Sequence, residues 1–476
     1  MNTTLLLLLL PLMPAARAAD PCAGVSAQTI TLVHVSDLHA RYQPDPDGVS
    51  PYARIRGYFN SVLAKDPQAL LLDGGDDHEK GSLADVLSRG MATNEITRAM
   101  RFDARMLGNH DFAWGETVAR DHMLDPSGPV LGSNLTPVRR STGPAPAFFA
   151  VRQAGCVRVG FFGLLSMPWN EADEPYAGDY PGFRADHDYI SAARRVLRAA
   201  AGQADIIVML SHLGNTDDLR LAQNVDGIDL VLGGHTHEWT RSANRSGKAI
   251  FAESGPYAEF VTRVDLAYDL KTRKVLNIGH QLLRVNKDMR PDKYVQRTVN
   301  EVLRRYAPEA GSPVSCALRD ATPQSAAAAA ARAVLALGGA DAAVADSKSV
   351  WTPWKEGPLT PQDFINAFTV EMEPPGTPGI SAFYTIPVSG AELAAVAANA
   401  EGKRWAYAGP KAPAKDRSYI LALPKRALAR PKGLLPAGMT PKEPRFLMEA
   451  WEALYRWSRP RGGALCVDAP EPPSAK

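Results

Sequence analysis

Cysteine is scarce in this chain: Cys22, Cys156, Cys316 and Cys466 are the 4 in 476 residues, and none sits in a C-x-x-C pair. A thiolate-rich zinc site therefore has no ligands to build on. Net charge is nearly absent as well, with 53 Lys and Arg against 51 Asp and Glu, a formal +2. That bias is too weak to draw nucleic acid or an anionic membrane to the surface, so any anionic substrate must be held at a local site. Long apolar runs are missing: Leu5 to Leu10, with Pro11, Leu12 and Met13 behind it, is too short to span a bilayer. The alanine-rich stretch Ala326 to Ala336 contains Arg332 and is followed by glycines, which reads as a soluble helix. Internal repeats are absent too. What is present is ordinary for a globular protein, 45% hydrophobic and 22% charged, and excludes collagen-like, disordered and polytopic membrane chains. The length rules out one small domain and suits two or three.

Residues 1–19 combine a short polar start without Lys or Arg, the apolar run, and Ala16-Arg17-Ala18 as an A-x-A-like cleavage site. They are expected to be a signal peptide, placing the protein in the periplasm or outside the cell. Pro21 directly before Cys22 argues against a lipid-modified cysteine, so no membrane contact is expected after cleavage. In an oxidising compartment an even number of cysteines suits two disulfides, with three pairings open. Closing each domain separately would join Cys22 to Cys156 and Cys316 to Cys466.

From Thr29 to about Arg284, short β-rich runs alternate with helical or loop stretches: Ile30–Val35, Ala69–Leu72, Val157–Leu165, Asp205–Leu210 and Asp229–Leu232. Runs of this kind, bounded by Gly, Asp or Ser, are buried strands of an α/β or mixed sheet. Between Pro291 and Pro308, Tyr294, Val295, Val299, Val302, Leu303 and Tyr306 recur at helical spacing, which predicts a connecting helix between two independent cores. Ser312 to about Asp468 then reads as mixed α and β, closing on a helix around Phe446 to Trp457 and a proline-rich tail.

Five short motifs follow the ends of apolar runs: Asp37-Leu38-His39, Gly75-Asp76, Gly108-Asn109-His110-Asp111, Ser211-His212 and Gly234-His235-Thr236-His237. Strand C-termini are where α/β sheets place their sites. In extended chain, residues two apart point the same way, so a carboxylate and an imidazole can share one metal. Asp37, His39, Asp76, Asn109, His212, His235 and His237 form an oxygen and nitrogen set without sulfur, suited to Mn, Fe, Zn or a similar divalent ion. Seven side chains are too many for one ion and suit two ions sharing a carboxylate. Each motif alone is weak; the order of all five is what carries the reading. Asp77, His78 and Asp111, beside these residues, read as polar neighbours that are solvated or that orient a ligand. His34, His122, His187 and His280 have no assigned role.

The order D-x-H, G-D, G-N-H-[D/E], S-H, G-H-T-H resembles the calcineurin-like metallophosphoesterases. The whole chain is similar to the periplasmic 5'-nucleotidase and 2',3'-cyclic phosphodiesterase family. The resemblance implies an α/β fold: a four-layer αββα metallophosphoesterase sandwich followed by a smaller α+β C-terminal domain. The divisions it implies are a phosphoesterase domain at 27–288, a linker helix at 289–310 and a 5'-nucleotidase-like domain at 312–470. It further implies that Asp37, His39, Asp76 and His237 hold one divalent ion and that Asp76, Asn109, His212 and His235 hold the other. Two ions about 3.5–4 Å apart can activate a bridging water for in-line attack on a phosphate ester. By the same resemblance, His110 stabilises the transition state or assists the leaving oxygen. The expected partner is a small-molecule phosphate ester of nucleotide type, with no nucleic acid polymer.

The chain also departs from that family. The nucleotidases continue after the catalytic His as Glu-Phe-Asp, the Asp orienting the imidazole; here His110 is followed by Asp111-Phe112-Ala113. His110 is therefore expected to lack the carboxylate that fixes its tautomer. In the second domain, Ala343 to Trp351 carries neither the Asn-Gly-Gly segment nor the arginine of the nucleoside pocket, and Lys432-Gly433-Leu434-Leu435-Pro436 stands where a Gly-Gly-Asp-Gly-aromatic loop is expected. Trp351, Trp354, Phe368, Tyr384 and Trp405 are read as core residues first and ring-stacking residues second. These departures keep two alternatives open: a protein that retains the metals with little turnover, and a hydrolase of a non-nucleotide ester.

Overall fold

The computed structural model describes residues 22–79, 81–138, 143–167, 180–247, 249–368, 381–400, 404–429, 433–459 and 466–468. The leader expected at 1–19 and the tail expected after Asp468 lie outside the described residues. Among the described residues no helix is long and apolar enough to cross a membrane.

Two six-stranded sheets lie face to face. The first runs Lys274–Arg284, Phe260–Asp269, Ala27–Val35, Leu70–Asp73, Ala104–Met106, Val130–Leu131; the second runs Asn244–Ser246, Ala249–Glu253, Leu230–Gly233, Ile206–His212, Val157–Leu165, Ala150–Ala154. Their central strands are parallel. A strand buried on both faces reads as a continuous apolar run, and the alternation of side chains explains where each residue goes. Ile30 and Leu32 join Leu230 and Leu232 between the sheets, while Val33 and Val35 point outward to the helix Pro51–Leu63 and Val231 points to the opposite outer layer. Helices on both outer faces complete an αββα sandwich. Each aliphatic side chain buried this way contributes about 1.5–3 kcal/mol.

A second, smaller region is built on a five-stranded mixed sheet in the order Trp405–Ala408, Ala342–Asp346, Ser418–Pro424, Ala382–Ser389, Arg445–Glu449. Pro323–Leu337 and Ala450–Ser458 cover one face; Gly390–Ala400 and Lys425–Ala429 cover the other. The segment Phe446 to Trp457 corrects the sequence reading. Its first residues form the edge strand, with Phe446 opposite Tyr384 and their rings 5.8 Å apart, so cross-strand pairing overrides the helical pattern until Ala450.

The connecting helix is Lys293–Tyr306, started by Asp292, whose carboxylate accepts the backbone N–H groups of Tyr294 and Val295 at 2.9 and 2.8 Å. It does not run between two separate cores. Val295, Val299 and Val302 are buried in one apolar cluster that reaches from Val35 and Phe59 of the first region to Ala330, Phe364 and Trp451 of the second. Cys22–Cys156 and Cys316–Cys466 close loops of 134 and 150 residues within the first and second regions respectively.

Candidate metal centre

The parallel strands of both sheets end on one side, and their following loops converge there. Asp37 and His39 follow Ala27–Val35, Asp76 follows Leu70–Asp73, Asn109 follows Ala104–Met106, His212 ends Ile206–His212, and His235 and His237 follow Leu230–Gly233. The backbone in these loops is held in a costly conformation. Asp37, His39, Asp76, His235 and His237 have φ of 53°, 46°, 58°, 77° and 59°, a region non-glycine residues rarely occupy and one that clusters at functional sites. Cross-loop hydrogen bonds impose it: Asp37 N–H to Gly75 O at 2.8 Å, His39 N–H to Asp76 O at 2.8 Å, and Tyr257 N–H to Asp37 O at 2.7 Å. Gly108 is required because a Cβ there would lie 2.0 Å from Asp76 Oδ1.

Two groups of side chains result. The donor atoms of Asp37, His39 and His237 lie within 4.8 Å of one another, as do those of Asp76, His212 and His235. Asp76 stands between the groups: its Oδ2 is 3.0 Å from His212 Nε2 and 3.7 Å from His39 Nε2. Each imidazole is turned from behind. His212 Nδ1 donates to Gly74 O at 2.8 Å, His39 Nδ1 donates to His78 O at 3.2 Å, and His237 Nδ1 shares a hydrogen bond of 3.2 Å with the Tyr257 hydroxyl. The Nε2 atoms are thereby aimed inward, those of His39 and His237 only 3.0 Å apart.

This arrangement fits divalent cations. Asn109 Oδ1 is shielded from solvent and makes no hydrogen bond among the described residues, a cost that a bound ion removes. His212 Nε2 is equally shielded and faces the Asp76 carboxylate without a well-aligned hydrogen bond. The charges agree. Burial opposes ionisation of Asp76, yet His212, His110 and His39 outweigh it and hold the carboxyl well below its usual range. Burial likewise opposes the His212 cation, but Asp76 and Asp37 push it up to about 10, so the group carries a proton that a metal would displace. Burial lowers His235 to about 3, leaving a neutral imidazole able to ligate.

Behind the ligand loops lies a second set of polar residues, wholly buried. Asp111 accepts the backbone N–H groups of Gly108, Asp76, Asp77 and His78 at 2.7, 3.1, 3.0 and 3.3 Å, so a single carboxylate gathers two ligand-bearing loops. His78 Nδ1 donates to Asp111 at 2.8 Å, and Asn94 Oδ1 accepts from His78 Nε2 and His122 Nδ1, both at 2.9 Å. Burial disfavours the His78 cation, but Asp111 outweighs it and pushes the group up to about 9. Burial and Arg105 drive His122 down, so its Nε2 accepts from Arg105 Nη2 at 3.1 Å. His78, Asp111 and His122 also lie within metal-binding reach of one another. Their donors are already engaged, so they form a hydrogen-bonded support. Arg105, among Asp73, Asp77 and Asp125, extends it.

His110 sits at the edge of the ligand groups, its ring centre 5.0 Å from that of His39 and its N–H bonded to Asp76 Oδ1 at 2.8 Å. The expectation that it lacks a carboxylate is overturned. Ala113 supplies none, but Glu79 Oε2 lies 2.6 Å from His110 Nδ1. Glu79 is three residues beyond Asp76, in another loop, and only the fold brings it here. Sequence reasoning also missed Tyr257 and Arg41, whose guanidinium stands 5.2 Å from the centre of the Tyr257 ring. The aromatic candidates divide sharply: Trp354, Phe368 and Trp405 are buried in the core, and Tyr384 packs on Phe446. Trp351 is 57% exposed and meets the Tyr257 ring edge-on at 5.5 Å, two side chains from the ligand groups. Nearby, Arg41 donates to Asn366 at 2.8 Å and Gln362 holds Gly81 O at 3.0 Å and Leu83 N–H at 2.9 Å, tying the second region to the rim.

Residues 30–239 match the family model for calcineurin-like phosphoesterases. The snake venom 5'-nucleotidase of Crotalus adamanteus is 24% identical over 327 residues, which cover 61% of this chain and 55% of that protein. The chain thus spans about half the length of the curated relatives it matches. Among solved structures, a 5'-nucleotidase precursor from Thermus thermophilus superposes with a TM-score of 0.67 at 19% identity, over 91% of this chain and 97% of that one. The sulfate thiohydrolase SoxB of the same genus superposes with a TM-score of 0.64 at 19% identity, over 93% and 96%. Residues 30–239 thus carry the match to the calcineurin-like phosphoesterase family, and the chain as a whole shares the fold of the solved 5'-nucleotidase precursor.

Proposed function

We propose that this protein is an exported, two-metal hydrolase of small phosphate esters, with nucleotides as its substrate class. The observation that carries the reading is the pair of ligand groups meeting at Asp76. Asp37, His39, Asp76 and His237 would hold one ion, and Asp76, Asn109, His212 and His235 the other, with Mn, Zn or Fe suited to such oxygen and nitrogen donors. Ions bound there supply Lewis acidity, drawing in phosphoryl oxygens and acidifying the attacking water. The protein's own share is orientation and proton handling. Asp76 sets the spacing of the two groups. His110 presents the ring nitrogen not facing Glu79 to the substrate, where it donates a proton to the oxygen that leaves phosphorus. The nucleotide assignment draws on the names of the relatives and on Trp351 facing the site. Catalysis is assigned to the 27–288 domain and substrate choice to 312–470, joined through 289–310. Two disulfides and the leader at 1–19 support export to the periplasm or the medium.

A second reading, hydrolysis of a non-nucleotide ester, is favoured by the burial of Trp354, Phe368 and Trp405, none of which is exposed to pair with Trp351 around a base. Turnover by purified, Mn-loaded protein separates the readings. Hydrolysis of both an aryl phosphate and nucleoside mono-, di- or cyclic phosphates is expected, and Asp76→Asn should abolish it. Aryl hydrolysis alone selects the second reading. A protein that binds two ions and turns over neither is a metal-retaining binding protein.

A further inference from the structure

We propose that Glu79 is the positioning residue for His110, holding its imidazole so that the opposite ring nitrogen meets the leaving oxygen. The inference rests on the phosphoesterase reading above. Its starting point is the 2.6 Å approach of Glu79 Oε2 to His110 Nδ1, with the two side chains 8% and 16% exposed. A carboxylate only accepts, so Nδ1 carries the hydrogen whether the ring is neutral or cationic, and Nε2 faces the substrate side, where the cationic ring holds the proton given to the leaving oxygen. Few waters compete at that depth, and a short bond to a charged acceptor is among the stronger hydrogen bonds available.

Glu79 is itself held in place. Its φ is 67°, a conformation a glutamate does not adopt without external restraint. Its N–H donates to Asp85 Oδ2 at 3.0 Å, and Asp85 is gripped in turn by the Thr93 hydroxyl and by Trp114 Nε1 at 3.0 Å. The anchors come from two different segments, since Trp114 lies just beyond His110 and Thr93 belongs to the helix Met91–Met100. A carboxylate on a strained, multiply anchored loop aimed at one ring nitrogen does more than fill space. The alternative position in the segment after His110 is closed: Ala113 has no polar side chain, and its N–H is used on His110 O at 3.0 Å.

The test compares Glu79→Ala and Glu79→Gln with the parent protein. In ¹⁵N-histidine spectra of the metal-free protein, with His110 assigned through His110→Gln, Glu79→Ala should shift the His110 Nδ1 signal and release its fixed tautomer. Glu79→Gln, which keeps an acceptor, should stay closer to the parent. In Mn-loaded protein, kcat for a nucleoside monophosphate, whose alkoxide needs a proton to leave, should fall about 100-fold in Glu79→Ala. For a nitrophenyl phosphate, whose leaving group needs none, the fall should stay within about tenfold, with KM for both esters and the bound metal little changed. Identical His110 signals in parent and Glu79→Ala overturn the proposal, as do equal losses on the two esters or no loss on either. A parent protein that hydrolyses neither ester would defeat the phosphoesterase reading, while the spectra would still decide whether Glu79 holds the ring.

Discussion

Buried carboxylates surround the ligand groups, and their environments set them to different states. Asp76, among imidazoles, is held ionised; Asp218 and Glu253, which contact the neighbours of His212 and His235, are not. Burial pushes Asp218 up to about 7, and burial together with Asp218 pushes Glu253 up to about 8. Asp218 accepts from Ser211, the neighbour of His212, and Glu253 accepts from Thr236, between His235 and His237. The sign of the resulting pH dependence follows from linkage. An unfolded carboxyl releases its proton near pH 4, whereas folded Asp218 keeps its proton until about 7, so this group makes the native state progressively less stable as pH rises through that window. Asp218→Asn removes the titration while keeping an acceptor for Ser211. Its stability relative to the parent, measured by denaturation of metal-free protein, should be greater at pH 8 than at pH 5 by on the order of 1–3 kcal/mol. An equal difference at both pH values would refute the assignment.

Loops following strands, together with the last strand residue His212, carry the candidate ligands. The apolar runs were legible because a strand buried on both faces needs continuous aliphatic sequence, and Val157–Leu165 coincides with its expected bounds. The candidate ligands were legible because their residue types follow those runs in order. The support behind them was not: Asp111 stands next to His110 in sequence, and nothing local says that it turns inward to collect four N–H groups from two loops. Asp111→Ala leaves those donors and His78 unsatisfied in a dry interior. A loss of about 3–5 kcal/mol of stability is expected, with metal affinity weakened on the order of 10- to 100-fold at temperatures where the variant is still folded. Calorimetric metal titration checks the second part; parent-like affinity would show that the strained loops hold their shape without Asp111.

At the scale of the molecule, the second region acts on the site through a few contacts at its rim. Trp351 reaches Tyr257, and Asn366 and Gln362 fasten the loops carrying Arg41, Gly81 and Leu83. If Trp351 stacks a base, Trp351→Ala should raise KM for a nucleoside monophosphate about three- to tenfold and leave KM for an aryl phosphate within twofold. An unchanged nucleotide KM would favour the non-nucleotide ester. One apolar cluster joins the two regions through Val295, Val299 and Val302, so the connector is packed into the structure it links. By itself, the sequence determined the buried strands of an α/β or mixed sheet and which residue types could ligate metal, since hydrophobic periodicity and donor chemistry are local properties of the chain. Only the tertiary structure decided that Glu79 faces His110, that Asp111 braces the loops carrying the candidate ligands, and that Trp351 alone of its candidate set meets Tyr257 beside them. Those pairings join residues far apart in the chain or fixed by burial, and burial is a property of the packed molecule.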